Sequence, residues 1–171
     1  MAADLSCSEK ETLSNILQGI QRDINCLSED NKSTRKRAIE KISKELIKKK
    51  PPLNSGVLQE CLESIIKPVL KIFSDPSEKC RELSIQIVLD ASSYVQDMSA
   101  FLPYIIPTCV QRLGQQEIIE TCEELRLLLL ELLIALVEVC REKMVMYIDD
   151  LVKILQKTIA DPFHHVKKVR C

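Results

Sequence analysis

One short segment occurs twice in this chain, and the distance between its copies constrains the fold more than any other feature. The first copy, SDPSEKCREL, occupies residues 74–83, and the second, ADPFHHVKKV, occupies residues 160–169. Asp75 and Asp161 are 86 residues apart, which equals two periods of about 43 residues. In both copies a basic residue follows the Asp-Pro pair after four spacers. The spacing predicts a chain that is built from repeated structural units.

The composition predicts that these units are helical. The 171 residues include three glycines and no tryptophan, and aromatic residues make up 4%. Sheets need glycine at turns and β-branched or aromatic residues in strands. Apolar residues make up 46%, which is enough for a continuous core. We therefore predict an all-α fold.

Apolar periodicity and helix-breaking residues divide the chain into eight predicted helices. Asp75 is a predicted N-cap, Pro76 suits the first helical position and Glu78 completes the spacing of a capping box. Asp161 is predicted to cap the last helix in the same way. The predicted helices cover residues 8–26, 34–49, 57–73, about 75–94, 100–113, 118–140, 144–160 and a segment after Pro162.

A helical hairpin cannot bury both of its apolar faces alone, so repeated hairpins stack on one another. Aligning Arg35 with Arg81 gives a first step of 46 residues, within the range of HEAT and armadillo repeats. We predict an α-solenoid of about four HEAT-like hairpins, an ARM-like superhelix, as a single segment over residues 1–171. Its repeats cover approximately residues 8–50, 57–95, 98–141 and 144–171, and residues 114–117 replace the Asp-Pro element in the third.

The fourth predicted repeat is incomplete, and a solenoid needs a polar terminal cap. From this we expect the chain to be the N-terminal part of a longer solenoid or a truncated form. We also expect the isolated chain to self-associate, or to fray from about Met144 onwards.

Four segments of the chain carry a resemblance to a known family. SDPSEKCREL, FLPYIIPTCVQRL, CEELRLLLLELL and DDLVKILQKTIADPF resemble the N-terminal HEAT repeats of the dynein axonemal assembly factor 5 family. The resemblance covers roughly residues 58–169. It implies a cytoplasmic factor for the preassembly of axonemal dynein arms, which motile cilia need. It also implies axonemal dynein chains, chaperones and other assembly factors as protein partners.

Charge is unevenly distributed, although the net charge is −1. Residues 32–50 hold nine basic residues, and residues 117–150 hold nine acidic ones. The run Lys48-Lys49-Lys50 supports a second hypothesis, a generic HEAT solenoid that binds an acidic partner or acts in nuclear transport. A solvated helix face with cations near a helix C-terminus explains the same run. No aromatic residue accompanies it for base stacking, so we predict no nucleic-acid partner.

No combination of residues predicts catalysis, a cofactor or a metal site. His164 and His165 are adjacent, as are the pairs Glu123-Glu124 and Asp149-Asp150, and adjacent helical residues do not face one another. The eight cysteines form no CxxC pair and mostly fall at apolar helical positions. The apolar run 125–140 is shorter than a membrane span of roughly 20 residues. We predict a non-enzymatic chain without catalytic, cofactor-binding or metal-binding residues, and no membrane partner.

Arg81 is the polar residue with the clearest predicted role. It stands at the start of the second helix of its repeat. The resemblance to HEAT repeats implies that a basic residue at this position bridges to acidic residues of the neighbouring repeat. We therefore predict a structural role for Arg81.

Overall fold

The computed structural model describes residues 5–168, and every regular element within that range is helical. This confirms the all-α prediction. Three short 3₁₀ segments, Ile72–Ser74, Met98–Phe101 and Arg141–Tyr147, adjoin the longer helices. The α-helices are α1 (Cys7–Cys26), α2 (Lys32–Leu46), α3 (Ser55–Lys71), α4 (Glu78–Ser92), α5 (Leu102–Leu113), α6 (Glu123–Cys140), α7 (Ile148–Ile159) and α8 (His164–Lys168).

The first helices begin at polar residues that satisfy free backbone N–H groups. The hydroxyl of Ser6 accepts a hydrogen bond from the backbone N–H of Glu9, and the Glu9 carboxylate accepts one from the N–H of Ser6. The Ser6 hydroxyl also donates to the Glu9 carboxylate, and this bond, together with the one from the Ser6 N–H, lowers the pKa of Glu9, because both favour its ionised form. The side chain of Asn31 accepts from the N–H groups of Ser33 and Thr34 at the start of α2. Both starts follow the general preference for Ser and Asn at N-caps.

Residues Met1–Asp97 form one compact unit. In this unit α1 packs against α2 and α3, and α4 packs against α2 and α3. Helix α3 is apolar around most of its circumference, which suits its contacts with two other helices. The fully buried core of this unit includes Ile20, Ile39, Ile42, Leu62, Ile65, Phe73 and Ile85.

Residues Met98–Cys171 form the second compact unit. Here α5 packs against α7, α6 packs against α8, and the 3₁₀ segment Met98–Phe101 contacts both α5 and α6. The leucine-rich helix α6 buries one broad face and exposes Glu124, Glu131 and Glu138, as its sequence predicts. The buried core of this unit includes Phe101, Leu102, Ile105, Leu129, Leu132, Leu136 and Ile154.

The predicted helices occur in the predicted order, but several of them are shorter than expected. Helix α6 begins at Glu123 instead of residue 118, and α7 begins at Ile148 instead of residue 144. In the second case a 3₁₀ segment takes up the preceding residues, and it keeps a helix-like spacing of apolar side chains. Val169 and Cys171, at the end of the fourth predicted repeat, lie outside the described residues.

The turn after α6 contains a strained residue. Arg141 has φ 46° and ψ −114°, a backbone conformation that glycine adopts readily and that a residue with a Cβ adopts only at a cost. Arg141→Gly is expected to raise the free energy of unfolding by about 1 kcal/mol, measured by thermal denaturation. Arg141→Ala is the matched control, because alanine keeps the Cβ and removes the same side chain. Equal stability of the two variants would contradict the strain.

Candidate interaction surfaces and the ion pairs that support them

A buried ion pair joins the turn before α2 to the turn before α4. Nε and Nη2 of Arg35 donate to the two carboxylate oxygens of Asp75 at 2.6 and 2.9 Å. Nη1 of Arg35 donates to the backbone carbonyls of Glu29 and Asp30 at 2.8 and 2.7 Å. The carboxylate hydrogen bonds raise the pKa of Arg35. One guanidinium thus fixes two turns, although Arg35 and Asp75 are 40 residues apart along the chain.

The second unit contains the same arrangement. Nε and Nη2 of Arg126 donate to the carboxylate of Asp161 at 2.7 and 2.9 Å. Its Nη1 donates to the carbonyls of Glu120 and Thr121 at 3.0 and 3.1 Å. Such fork-to-fork pairing is the strongest form of arginine–carboxylate contact. The recurrence of these bonds marks equivalent positions in the two units.

These contacts correct the predicted role of the two Asp-Pro elements. Neither Asp75 nor Asp161 is an N-cap: α4 begins at Glu78 after Ser77, and no side chain caps it. Asp75 instead accepts the two Arg35 bonds and one from the N–H of Ser77 at 2.7 Å. Asp161 accepts the corresponding bond from the N–H of Phe163 at 2.8 Å. Each carboxylate shapes its own turn while it binds an arginine from the first turn of another helix.

The turn before α6 carries a glutamate, Glu120, at the position that Asp75 has before α4. The sequence pattern did not identify this residue. Glu120 is fully buried, and its carboxylate accepts from the N–H of Cys122 at 3.1 Å. Glu120 stands three residues before α6, as Asp75 stands three residues before α4. The proposed replacement at residues 114–117 is therefore wrong. A usable signal was present, because Arg126 follows Glu120 by six residues, the spacing from Asp75 to Arg81.

Arg81 is buried, and its Nη1 donates to the carbonyls of Asp75 and Pro76 at 2.9 and 3.4 Å. These bonds match those of Arg35 and Arg126 to the carbonyls of their own turns. The bridge from an arginine to another turn's carboxylate is observed at Arg35 and Arg126, while for Arg81 it stays a prediction.

Several basic residues of the segment 32–50 already contact carboxylates of this chain, so fewer of them can bind a partner than the sequence suggests. Arg35 is buried in its ion pair, and Lys41 lies 2.7 Å from the carboxylate of Asp23. Lys36 and Lys49 each approach a glutamate four residues away on the same helix, at 3.7 and 3.8 Å. Five other cations of this segment are exposed and have no carboxylate of the described residues within ion-pair distance. They are Lys32, Arg37, Lys44, Lys48 and Lys50.

An exposed apolar surface lies on α7 and the segment before it. Ile148, Val152 and Ile159 are 51%, 44% and 72% exposed. Their spacing of four and seven residues places them on one face of the helix. Val145 and Met146 extend this surface towards the N-terminus of α7. Clustered exposed apolar side chains of this kind are typical of protein-contact surfaces.

The histidines and cysteines form no site in the described part of the chain. His164 and His165 are both exposed, and no group of three or more metal-ligating side chains occurs among the described residues. Burial raises the pKa of Cys61 and of Cys109 to about 12, so both thiols stay protonated at neutral pH. Cys171 lies outside the described residues. None of the helices in the described range has the length and apolarity of a membrane span.

Comparisons with known proteins give one consistent result. A protein-family model described as "Dynein axonemal assembly factor 5-like, TPR repeats" matches residues 26–171. Dynein axonemal assembly factor 5 of Xenopus laevis is 46% identical over 171 residues, which is 100% of this chain and 20% of that protein. The Homo sapiens protein of the same name is 30% identical over 165 residues, covering 93% of this chain and 18% of the relative. The Mus musculus protein is 29% identical over 178 residues, covering 100% and 21%.

The chain therefore spans about one fifth of the length of these curated relatives. No solved structure matches it significantly.

Proposed function

The chain belongs to the family of dynein axonemal assembly factor 5-like proteins, and we propose on this basis that it is a non-enzymatic scaffold for the assembly of axonemal dynein arms. The family match over residues 26–171 is the observation that carries the proposal. The relatives' name says that they are assembly factors for axonemal dynein. We extend this role to the present chain and place it in the cytoplasm, before the arms reach motile cilia.

The described residues support a scaffold in two ways. Buried Arg–Asp pairs hold the turns between helices in fixed positions, which gives the exposed side chains a stable framework. The face of α7 that carries Ile148, Val152 and Ile159 offers apolar contact area for other proteins. Axonemal dynein chains, chaperones and other assembly factors are the partners that we propose. We also propose that the helices form four HEAT-like hairpins with the boundaries predicted above.

A crosslinking pull-down from the cytosol of ciliated cells tests this function. With the chain as bait, we expect axonemal dynein chains and chaperones to be enriched over a bait that carries Ile148→Ser, Val152→Ser and Ile159→Ser. The three positions are exposed, so this control bait is expected to fold. Absence of dynein chains and chaperones from both the unaltered bait and a bait with the full length of the relatives would refute the proposal.

The basic residues near the end of α2 favour the second candidate, a general interaction module for an acidic partner or for nuclear transport. Lys48 and Lys50 are exposed, and Lys49 is partly exposed. In the same pull-down, neutralising all three lysines is expected to remove the captured proteins if this second function is correct. If the first is correct, the captured dynein chains are unchanged.

A further inference from the structure

The second unit contains a groove that is lined in part by polar residues outside the Arg126–Asp161 ion pair. It has a volume of about 240 Å³ and lies between the end of α5, the loop 114–122 and the end of α7. This loop has nine residues, whereas the connection between α7 and α8 has four. Loops carry binding residues more often than the elements that they connect. The residues that line the groove include Arg112, Gln115, Glu117, Ile118, Lys157 and Pro162.

Arg112 is under-bonded compared with the other buried arginines. Its side chain is 10% exposed, close to the 11% of Arg35 and the 7% of Arg126. Arg35 and Arg126 each donate four hydrogen bonds, whereas Arg112 donates one, from Nη2 to Glu120 at 2.7 Å. Within residues 5–168, the buried Nε of Arg112 meets no acceptor.

A buried guanidinium in this state indicates an acceptor from outside the fold. A buried donor without a partner destabilises a protein by about 1–3 kcal/mol, and native structures contain few of them. The planar guanidinium matches the two oxygens of a carboxylate. The chemistry that satisfies Arg112 is therefore a carboxylate that enters the groove.

The other groove residues indicate what carries this carboxylate. Arg126 and Asp161 also line the groove, but they are committed to each other. Lys157 is exposed on the rim and adds a second cation. Exposed Glu117 opposes an anion, as does the buried Glu120 carboxylate that already pairs with Arg112. Ile118 is 54% exposed, so an apolar side chain of the ligand, next to its carboxylate, can pack on Ile118.

We propose that this groove binds an extended acidic segment of another protein. A Glu or Asp carboxylate of that segment pairs with Arg112 and Lys157, and a neighbouring apolar side chain packs on Ile118. This site does not depend on the proposed role in dynein assembly, because it is argued from the bonding of Arg112 and the other groove residues.

Fluorescence anisotropy with the whole chain tests the site. The probe is a fluorescein-labelled GSLELEGS peptide, and its matched control is GSLQLQGS. We expect the Glu peptide to bind at least about tenfold more tightly than the Gln peptide. Arg112→Gln is expected to abolish this difference. Lys153→Gln is the control variant, because Lys153 is exposed on α7 and does not line the groove.

Two rim variants keep the test decisive even if Arg112→Gln does not fold. Lys157→Gln is expected to weaken binding of the Glu peptide about threefold, and Glu117→Gln is expected to strengthen it about threefold. Equal affinity for the two peptides, or rim variants that do not shift affinity in opposite directions, would overturn the proposal. Displacement of the Glu peptide by equimolar inorganic phosphate would overturn it too, because that result indicates a site for small anions.

Discussion

Replacing Arg35 by alanine is expected to lower the free energy of unfolding by about 3–5 kcal/mol, the usual effect of removing one partner of a buried ion pair. The side chain of Asp75 is only 4% exposed, so the variant removes the cation that pairs with a buried carboxylate. The carbonyls of Glu29 and Asp30 lose their donor at the same time. Urea denaturation followed by circular dichroism measures the change.

Two further variants show whether the ion pair causes this loss. Lys36→Ala removes a cation from the exposed face of the same helix and is expected to change stability by less than about 0.5 kcal/mol. The double variant Arg35→Met with Asp75→Asn removes both charges, and it should recover part of the loss because no unpaired charge stays buried. A double variant as unstable as Arg35→Ala would show that the charges themselves are not responsible.

Phe73→Ala is expected to destabilise the chain by about 3–5 kcal/mol, because it leaves a large cavity in a close-packed core. Phe73 is 0% exposed and lies in the 3₁₀ segment that contacts both α3 and α4. The midpoint of urea unfolding should fall while the slope of the transition stays constant. Phe163→Ala is the matched control, since Phe163 is partly exposed and should lose less stability. Equal losses for the two variants would contradict the assigned core.

The helices could be predicted from the sequence because their signal is local. In α6, apolar residues recur at helical spacing around a stripe that contains Glu124, Glu131 and Glu138, and the structure exposes these three glutamates. The ends of the helices were less predictable. The 3₁₀ segments before α7 and after α3 continue the apolar spacing, so a pattern of side chains does not distinguish them from the adjoining helix.

The roles of the polar turn residues could not be predicted from local pattern. The segment SDPSE has the features of a helix start, and that reading assigns the Asp75 carboxylate to backbone N–H groups. The structure gives Asp75 a stronger partner in Arg35, 40 residues earlier in the chain. Arg35 also belongs to a run of basic residues that reads as a solvated face, and nothing in that run marks it as the buried member.

The groove around Arg112 could not be predicted from the sequence, for a different reason. Its evidence is a donor that is buried without an acceptor, and burial becomes visible only when α5, α7 and the loop 114–122 have positions. The sequence shows only an arginine near the C-terminus of a helix, where a cation is favourable in any case.

The spacing of the turn contacts bears on the type of repeat. The arginines that bind the carbonyls of their own turns are Arg35, Arg81 and Arg126, and their separations are 46 and 45 residues. A tetratricopeptide unit has about 34 residues, whereas a HEAT unit has about 40–47. The matching family model is described as TPR repeats. We propose that the units are nevertheless HEAT-like, because their length fits that class.

The acidic residue three positions before α2, α4 and α6 lies six residues before the arginine of the same turn, and this constant distance determines where the chain tolerates insertions and deletions. It separates Glu29 from Arg35, Asp75 from Arg81 and Glu120 from Arg126. Adding one residue inside this interval rotates the arginine by about 100° around its helix and removes it from the carbonyls that it holds. Residues added before the acid leave the interval intact, as the nine-residue loop 114–122 shows. Changes in chain length are therefore expected to accumulate on the N-terminal side of each acidic residue.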